Sequence, residues 1–119
     1  MGGCARGDEA EATAIAFNDA INARDVGRLT TLMTGGHRFI DSAGEVVAGR
    51  RACAEAWRGF FSAFPDYRNV FRSVGSTGAG VVEIVGHSEC SVATLAGPAR
   101  WRAVIVDGLI DEWQVFVDG

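Results

Sequence analysis

Gly49-Arg50-Arg51-Ala52-Cys53-Ala54-Glu55-Ala56-Trp57-Arg58-Gly59-Phe60-Phe61-Ser62-Ala63-Phe64-Pro65 is the stretch on which the fold turns. From Gly49 onward the apolar residues recur at helical period. Cys53, Ala56, Trp57, Phe60 and Phe64 form a stripe, and Phe61 widens it. Pro65 stops the helix, because the residue before a proline is pushed out of the helical region. A stripe this broad and aromatic cannot face water, so the helix must lie against an extended apolar surface.

The downstream chain supplies that surface. Tyr67–Val74, Val81–Val92, Ala99–Asp107 and Leu109–Val117 read as four strands. They are separated by Gly75-Ser76-Thr77-Gly78-Ala79-Gly80, by Leu95-Ala96-Gly97-Pro98, and by Asp107-Gly108, a strong two-residue hairpin signal. Upstream, Asp8 to Ala23 lacks Gly and Pro, and Ala10, Ala14, Phe17 and Ile21 share one helical face. Asp25 suits the N-cap of a second short helix with Val26, Leu29, Leu32 and Met33 as its apolar side, ended by Gly35-Gly36. His37–Asp41 then reads as a short strand, Ser42–Glu45 as a turn and Val46–Ala48 as a return strand. Three helices followed by a strand meander predict an α+β fold, with the helices packed on a curved antiparallel sheet. Residues 1–7, rich in Gly, read as a disordered lead-in, and 8–119 as a single domain.

The 119-residue chain is 48% apolar, enough to build a core without disulfides or a structural metal. No apolar run approaches the ~18 residues of a membrane span, and no apolar h-region follows Met1, so neither a membrane segment nor a secretory signal is expected. Cys4, Cys53 and Cys90 are isolated and odd in number, which argues against a disulfide framework and for a reducing, cytoplasmic setting. Net charge is −4 and every basic residue is Arg, a bias of GC-rich bacterial genomes. The arginines are scattered and no aromatic platform accompanies them, so nucleic acid is not an expected partner.

A twisted sheet wrapped around a helix leaves one end of its concave side open as a cavity. Strand alternation groups the side chains that could reach it. His37, Phe39 and Asp41 share one face, and Arg102, Val104 and Val106 another. Trp101, Ala103 and Ile105 lie opposite Arg102, while Trp113, Val115 and Val117 point together.

One ordered set of residues spans nearly the whole chain: Phe17-Asn18-Asp19-Ala20-Ile21-Asn22-Ala23-Arg24-Asp25 with Leu29 and Leu32, Phe39-Ile40-Asp41, Gly49-Arg50, Phe60-Phe61-Ser62-Ala63-Phe64-Pro65-Asp66, Asp107-Gly108-Leu109-Ile110, Glu112-Trp113 and Asp118. This set resembles the SnoaL-like group of the nuclear-transport-factor-2-like superfamily. Ketosteroid isomerase and limonene epoxide hydrolase share that fold. The resemblance implies a cystatin-like cone with three N-terminal helices on the sheet. It places Asp41 where the isomerase has its aspartate general base, and Trp113 in the cavity.

The chemistry implied by those relatives is incomplete here. The isomerase's oxyanion hole needs a tyrosine and a protonated aspartate. Those positions fall at Phe17 and near Arg102. Arg102 can stabilise an enolate only as a fixed cation, and otherwise reads as a rim arginine paired with a surface acid. The hydrolase's acid two residues after the last-strand Trp is Val115 here. His87 is a proton carrier if its face of the strand lines the cavity, and an exposed sheet histidine if it does not. Asp41 has two readings as well. It is a partly desolvated base beside Phe39, or a turn aspartate bonding its own backbone. No His or carboxylate spacing suits a metal.

The expected site is therefore Asp41, Arg102 and His87 as catalytic candidates, with Phe17, Phe39, Trp57, Trp113 and Val115 as ligand-binding walls. Trp101 and Tyr67 read as core or rim aromatics. The expected partner is a small hydrophobic molecule, and no cofactor is needed. Three readings follow: a cofactor-independent isomerase or cyclase acting next to a carbonyl, a non-catalytic binding module, or a dimeric interaction domain with its cavity filled. A homodimer is expected in each, because a single sheet apolar on both faces needs a cover.

Overall fold

The helix predicted from residues 49–65 forms as α3 (Arg50–Ala63), and it buries Cys53, Ala54, Trp57 and Phe61. In this computed structural model residues 2–117 are described, with side chains from Glu9 onward. Ahead of α3 come α1 (Gly2–Asn22), α2 (Val26–Thr31), β1 (Met33–Ile40) and β2 (Val46–Ala48). After it come β3 (Arg68–Gly78), β4 (Val81–Glu89), a 3₁₀ turn (Ala93–Leu95), β5 (Gly97–Val106) and β6 (Leu109–Val117). No helix among the described residues is long and apolar enough to cross a membrane.

One six-stranded sheet holds the molecule, in the order β2-β1-β6-β5-β4-β3. It is mixed rather than wholly antiparallel, because β1 and β6 run parallel. A parallel pair needs a long crossover. The whole segment from β2 through β5 supplies it, returning the chain beside its first strand. α1 packs across β3 to β6, and α3 packs on β1, β2 and α2. Both lie on one face of the sheet, where Val82, Ile84, Trp101, Ala103 and Trp113 are buried.

Two boundaries move for tertiary reasons. Gly35-Gly36, read as a helix stop, lies inside β1. α2 ends earlier, with Leu32 as its C-cap, because the Leu32 carbonyl accepts from Ile110 N at 2.7 Å and Met33 pairs with Ile110. Long-range pairing with β6 thus captures residues that local propensity assigned to the helix. A register shift between Met33 and Arg38 absorbs the two glycines. The turn read over residues 75–80 shrinks to Ala79-Gly80, with φ of 54° and 77°. Asp107-Gly108 has the same geometry at 53° and 77°, the primed turn that its Asp-Gly pair favours. At the other end, helical backbone extends to Gly2 through the lead-in that composition reads as disordered. Once nucleated in the Ala-rich segment that follows, a helix propagates at one bond per residue, here into glycines of poor helical propensity.

Candidate active site

Between α3, the buried sheet face and the segment 94–98 lies a cavity of about 280 Å³. Its walls are largely apolar: Phe39, Val47, Trp57, Phe60, Trp101, Trp113 and Val115. Trp57 organises the helical wall. Its ring centroid is 5.4 Å from Phe39, 5.8 Å from Phe60 and 5.4 Å from Phe61. The indole N–H groups of Trp57, Trp101 and Trp113 are buried without an acceptor among the described residues. Two polar clusters interrupt this lining, one at each side of the sheet.

Asp41 belongs to the first. It follows β1 directly and lines the cavity beside Ser42. Its Oδ1 accepts from Ala43 N and Glu45 N, both at 2.9 Å, so it is also the turn aspartate that the sequence allows. The turn uses only Oδ1. Oδ2 has no protein partner among the described residues, and the turn fixes the carboxylate's position.

The second cluster is Tyr67, Asn69 and Ser88, all three lining the cavity. Tyr67 Oη lies 3.2 Å from Ser88 Oγ, which donates to Asn69 Oδ1 at 2.8 Å. Burial pushes the Tyr67 phenol up from its ordinary value, against hydrogen bonds from Ser88 and Asn69 that lower it. The phenol is therefore neutral at neutral pH. Cys53, also in the lining, has its thiol pushed up by burial, and its Sγ–H donates to Val47 O at 3.2 Å. Among the described residues no three His, Cys, Asp or Glu side chains converge as a metal site requires.

Of the predicted residues, Asp41, Phe39, Trp57, Trp113 and Val115 meet around the cavity. Phe17 does not reach it. Fully buried, Phe17 stacks behind the wall at 4.7 Å from Trp113 and 6.5 Å from Trp57. Arg102 lies on the opposite face of the sheet, since its neighbours Trp101 and Ala103 point inward. There it donates to Glu112 Oε2 at 3.2 Å, and Arg38 pairs with the other oxygen of the same carboxylate. His87 is on that face too, 3.0 Å from Glu89 Oε2. Alternation excludes Arg102 and His87 from the cavity: each sits between two inward residues.

Tyr67, Asn69 and Ser88 were missed as site residues. The signal was present as strand parity. Tyr67 and Asn69 are two apart, and Ser88 has the opposite parity to His87. Deciding which parity faces the cavity required the sheet order.

The SnoaL-like domain model matches residues 14–113. No curated protein matches the sequence. Among solved structures, an LEH-like epoxide hydrolase from M. tuberculosis superposes with a TM-score of 0.81 at 18% identity, over 94% of this chain and 84% of that one. An NTF2-like protein of unknown function from Mesorhizobium loti gives 0.80 at 21%, over 96% and 94%. A candidate polyketide cyclase from Sinorhizobium meliloti gives 0.79 at 15%, over 87% and 93%. At these identities the structural likeness speaks to the fold alone.

Proposed function

Because the chain belongs to the SnoaL-like family, we propose that its cavity takes a small hydrophobic carbonyl compound and that Asp41 withdraws a proton from the carbon next to the carbonyl. One observation carries this reading. Asp41 is the only carboxylate among the residues lining the cavity, and its Oδ2 has no protein partner among the described residues. The proton would pass from substrate carbon to Oδ2 and be returned at another position, so isomerisation or ring closure needs no cofactor. With Phe17 behind the wall and Arg102 on the far face, neither serves the cavity as an oxyanion donor. The reading therefore selects an activated C–H, flanked by two carbonyls or by a carbonyl and an unsaturated ring, whose enolate needs less help.

Asp41→Asn is the direct test. Asn Oδ1 accepts the same two backbone N–H groups, so stability should stay within about 0.5 kcal/mol of the parent. Conversion of a deconjugated cyclic ketone to its conjugated enone, followed by ultraviolet absorbance, should fall at least a hundredfold. Unchanged turnover in the variant would rule out the scheme. A second reading, binding without turnover, draws on the engagement of Oδ1 in the turn. It predicts that ligand raises the melting temperature equally in parent and variant, with no product formed by either.

The proposal extends to a homodimer formed through the helix-free face of the sheet. Ile40, Val85, Val104 and Phe116 lie on that face by register, and neither α1 nor α3 covers it.

A further inference from the structure

We propose that Tyr67, Ser88 and Asn69 anchor a hydroxyl or phenol group of the ligand, at the side of the cavity away from Asp41. The inference rests on the reading that the cavity holds a small molecule. It adds which chemical group that molecule carries and how it is oriented.

The three side chains are built as a unit. Asn69 on β3 and Ser88 on β4 are register partners. Tyr67 enters from the loop before β3, its ring held edge-on by Phe60 at 4.7 Å between centroids. Tyr67, Asn69 and Ser88 are 8%, 2% and 6% exposed, so water competes poorly for them. The Asn69 backbone is pinned from α1. Its carbonyl accepts from Asn22 Nδ2 at 2.9 Å and Asn18 Nδ2 at 3.3 Å, and its N–H donates to Asn22 Oδ1 at 2.9 Å. A cluster fixed in this way keeps its geometry whether or not a ligand is present.

Counting protons shows what the cluster offers. Ser88 spends its one proton on Asn69 Oδ1, so Tyr67 donates to Ser88 Oγ. What is left is an acceptor, Tyr67 Oη, and the two Nδ2 protons of Asn69. Turning the Asn69 amide over reverses every bond: Nδ2 donates one proton to Ser88, Ser88 donates to Tyr67, and what remains is the Tyr67 proton, the second Nδ2 proton and an Asn69 acceptor. In both arrangements an acceptor and two donors stay unspent. A hydroxyl, which donates once and accepts, engages the acceptor and the donors together. A ketone oxygen can only accept, and leaves a buried acceptor unpaired.

Sheet order sets the direction. Asp41 leaves β1, and Ser88 lies on β4, three strand intervals away across β6 and β5. At ~4.8 Å per interval that is about 14 Å along the sheet. A ring system anchored by its hydroxyl therefore presents its opposite edge to Asp41.

The test is isothermal titration calorimetry at pH 7 with 2-naphthol and 2-fluoronaphthalene, nearly the same in size and differing in the hydroxyl. The parent protein should bind the naphthol about tenfold more tightly. Tyr67→Phe and Ser88→Ala should each cut that preference below about threefold while leaving affinity for the fluoro compound unchanged. Equal affinities in the parent, with both compounds bound, would overturn the anchor and leave the cavity reading standing. Such a result, which needs no variant, means that water or nothing fills the polar end. A preference that survives in both variants would also overturn it. Failure of both compounds to bind the parent would remove the cavity reading and this inference with it.

Discussion

His37 shows how far a single residue's behaviour follows from its surroundings. It is fully buried, with its ring 5.7 Å from Phe17. Nδ1 donates to Ile110 O at 2.8 Å, so the neutral ring leaves Nε2 bare, and that atom has no partner among the described residues. Burial lowers its pKa from the ordinary 6.5, outweighing the Ile110 carbonyl, Asp111 and Glu112, which raise it. As pH falls, the unfolded chain therefore takes up the proton first. Stability is fully present above about pH 6.5 and declines below it, by at most about 1.4 kcal/mol per pH unit from this group. Urea midpoints between pH 8 and pH 5 should show that decline, and His37→Gln should flatten it. An equally steep loss in the variant would assign the effect to the carboxylates instead. Asp41 and Arg102 make the complementary point. Both were legible as chemical candidates, but only alternation within the folded sheet separates the cavity residue from the one paired with Glu112 on the far face.

At the scale of elements, β3 is an edge strand that α1 protects. The Asn22 side chain both accepts from and donates to the Asn69 backbone, and Ser76 N donates to Glu11 Oε2 at 3.0 Å. Asn22→Ala strands a buried N–H and should cost about 1–3 kcal/mol in chemical denaturation. The β3–β4 pairing sets a second constraint at Gly86. A Cβ there would lie 2.0 Å from Val70 O and 3.1 Å from Phe71 Cα, both backbone atoms that cannot swing aside. Gly86→Ala should destabilise by about 3 kcal/mol, whereas Gly75→Ala, with nothing within 4 Å of its Cβ, should cost less than 1 kcal/mol. Comparable losses in the two variants would mean that strand propensity, not the close approach, governs both. α1, α3 and the Asp107-Gly108 hairpin were readable because local period and turn chemistry agree with the final packing. The Gly35-Gly36 segment was not, because pairing with β6 overrode a local stop signal.

For the whole molecule, one face of the sheet carries the helices and the cavity, and the other carries mixed charges and valines. Val85 is 46% exposed there, opposite Arg100 in the sheet, on the same face as the Arg102–Glu112–Arg38 cluster. A homodimer through this face should elute at twice the chain mass at micromolar concentration, and Val85→Asp should shift it to monomer without lowering the monomer's stability by more than about 0.5 kcal/mol. Elution of the parent as a monomer would refute the interface.

By itself the sequence determined the element types, the α+β class and the apolar candidates Phe39, Trp57 and Val115, because period and turn residues act over a few positions. Its resemblance to the SnoaL-like group, rather than period or spacing, put Asp41 and Trp113 at the cavity. Only the tertiary structure decided that β1 lies parallel to β6, that Phe17 backs the wall, and that Arg102 and His87 face away. It likewise brought Tyr67, Asn69 and Ser88 to the cavity side opposite Asp41. Those outcomes depend on strand order and register across contacts far apart in the chain, and local propensity carries no information about them.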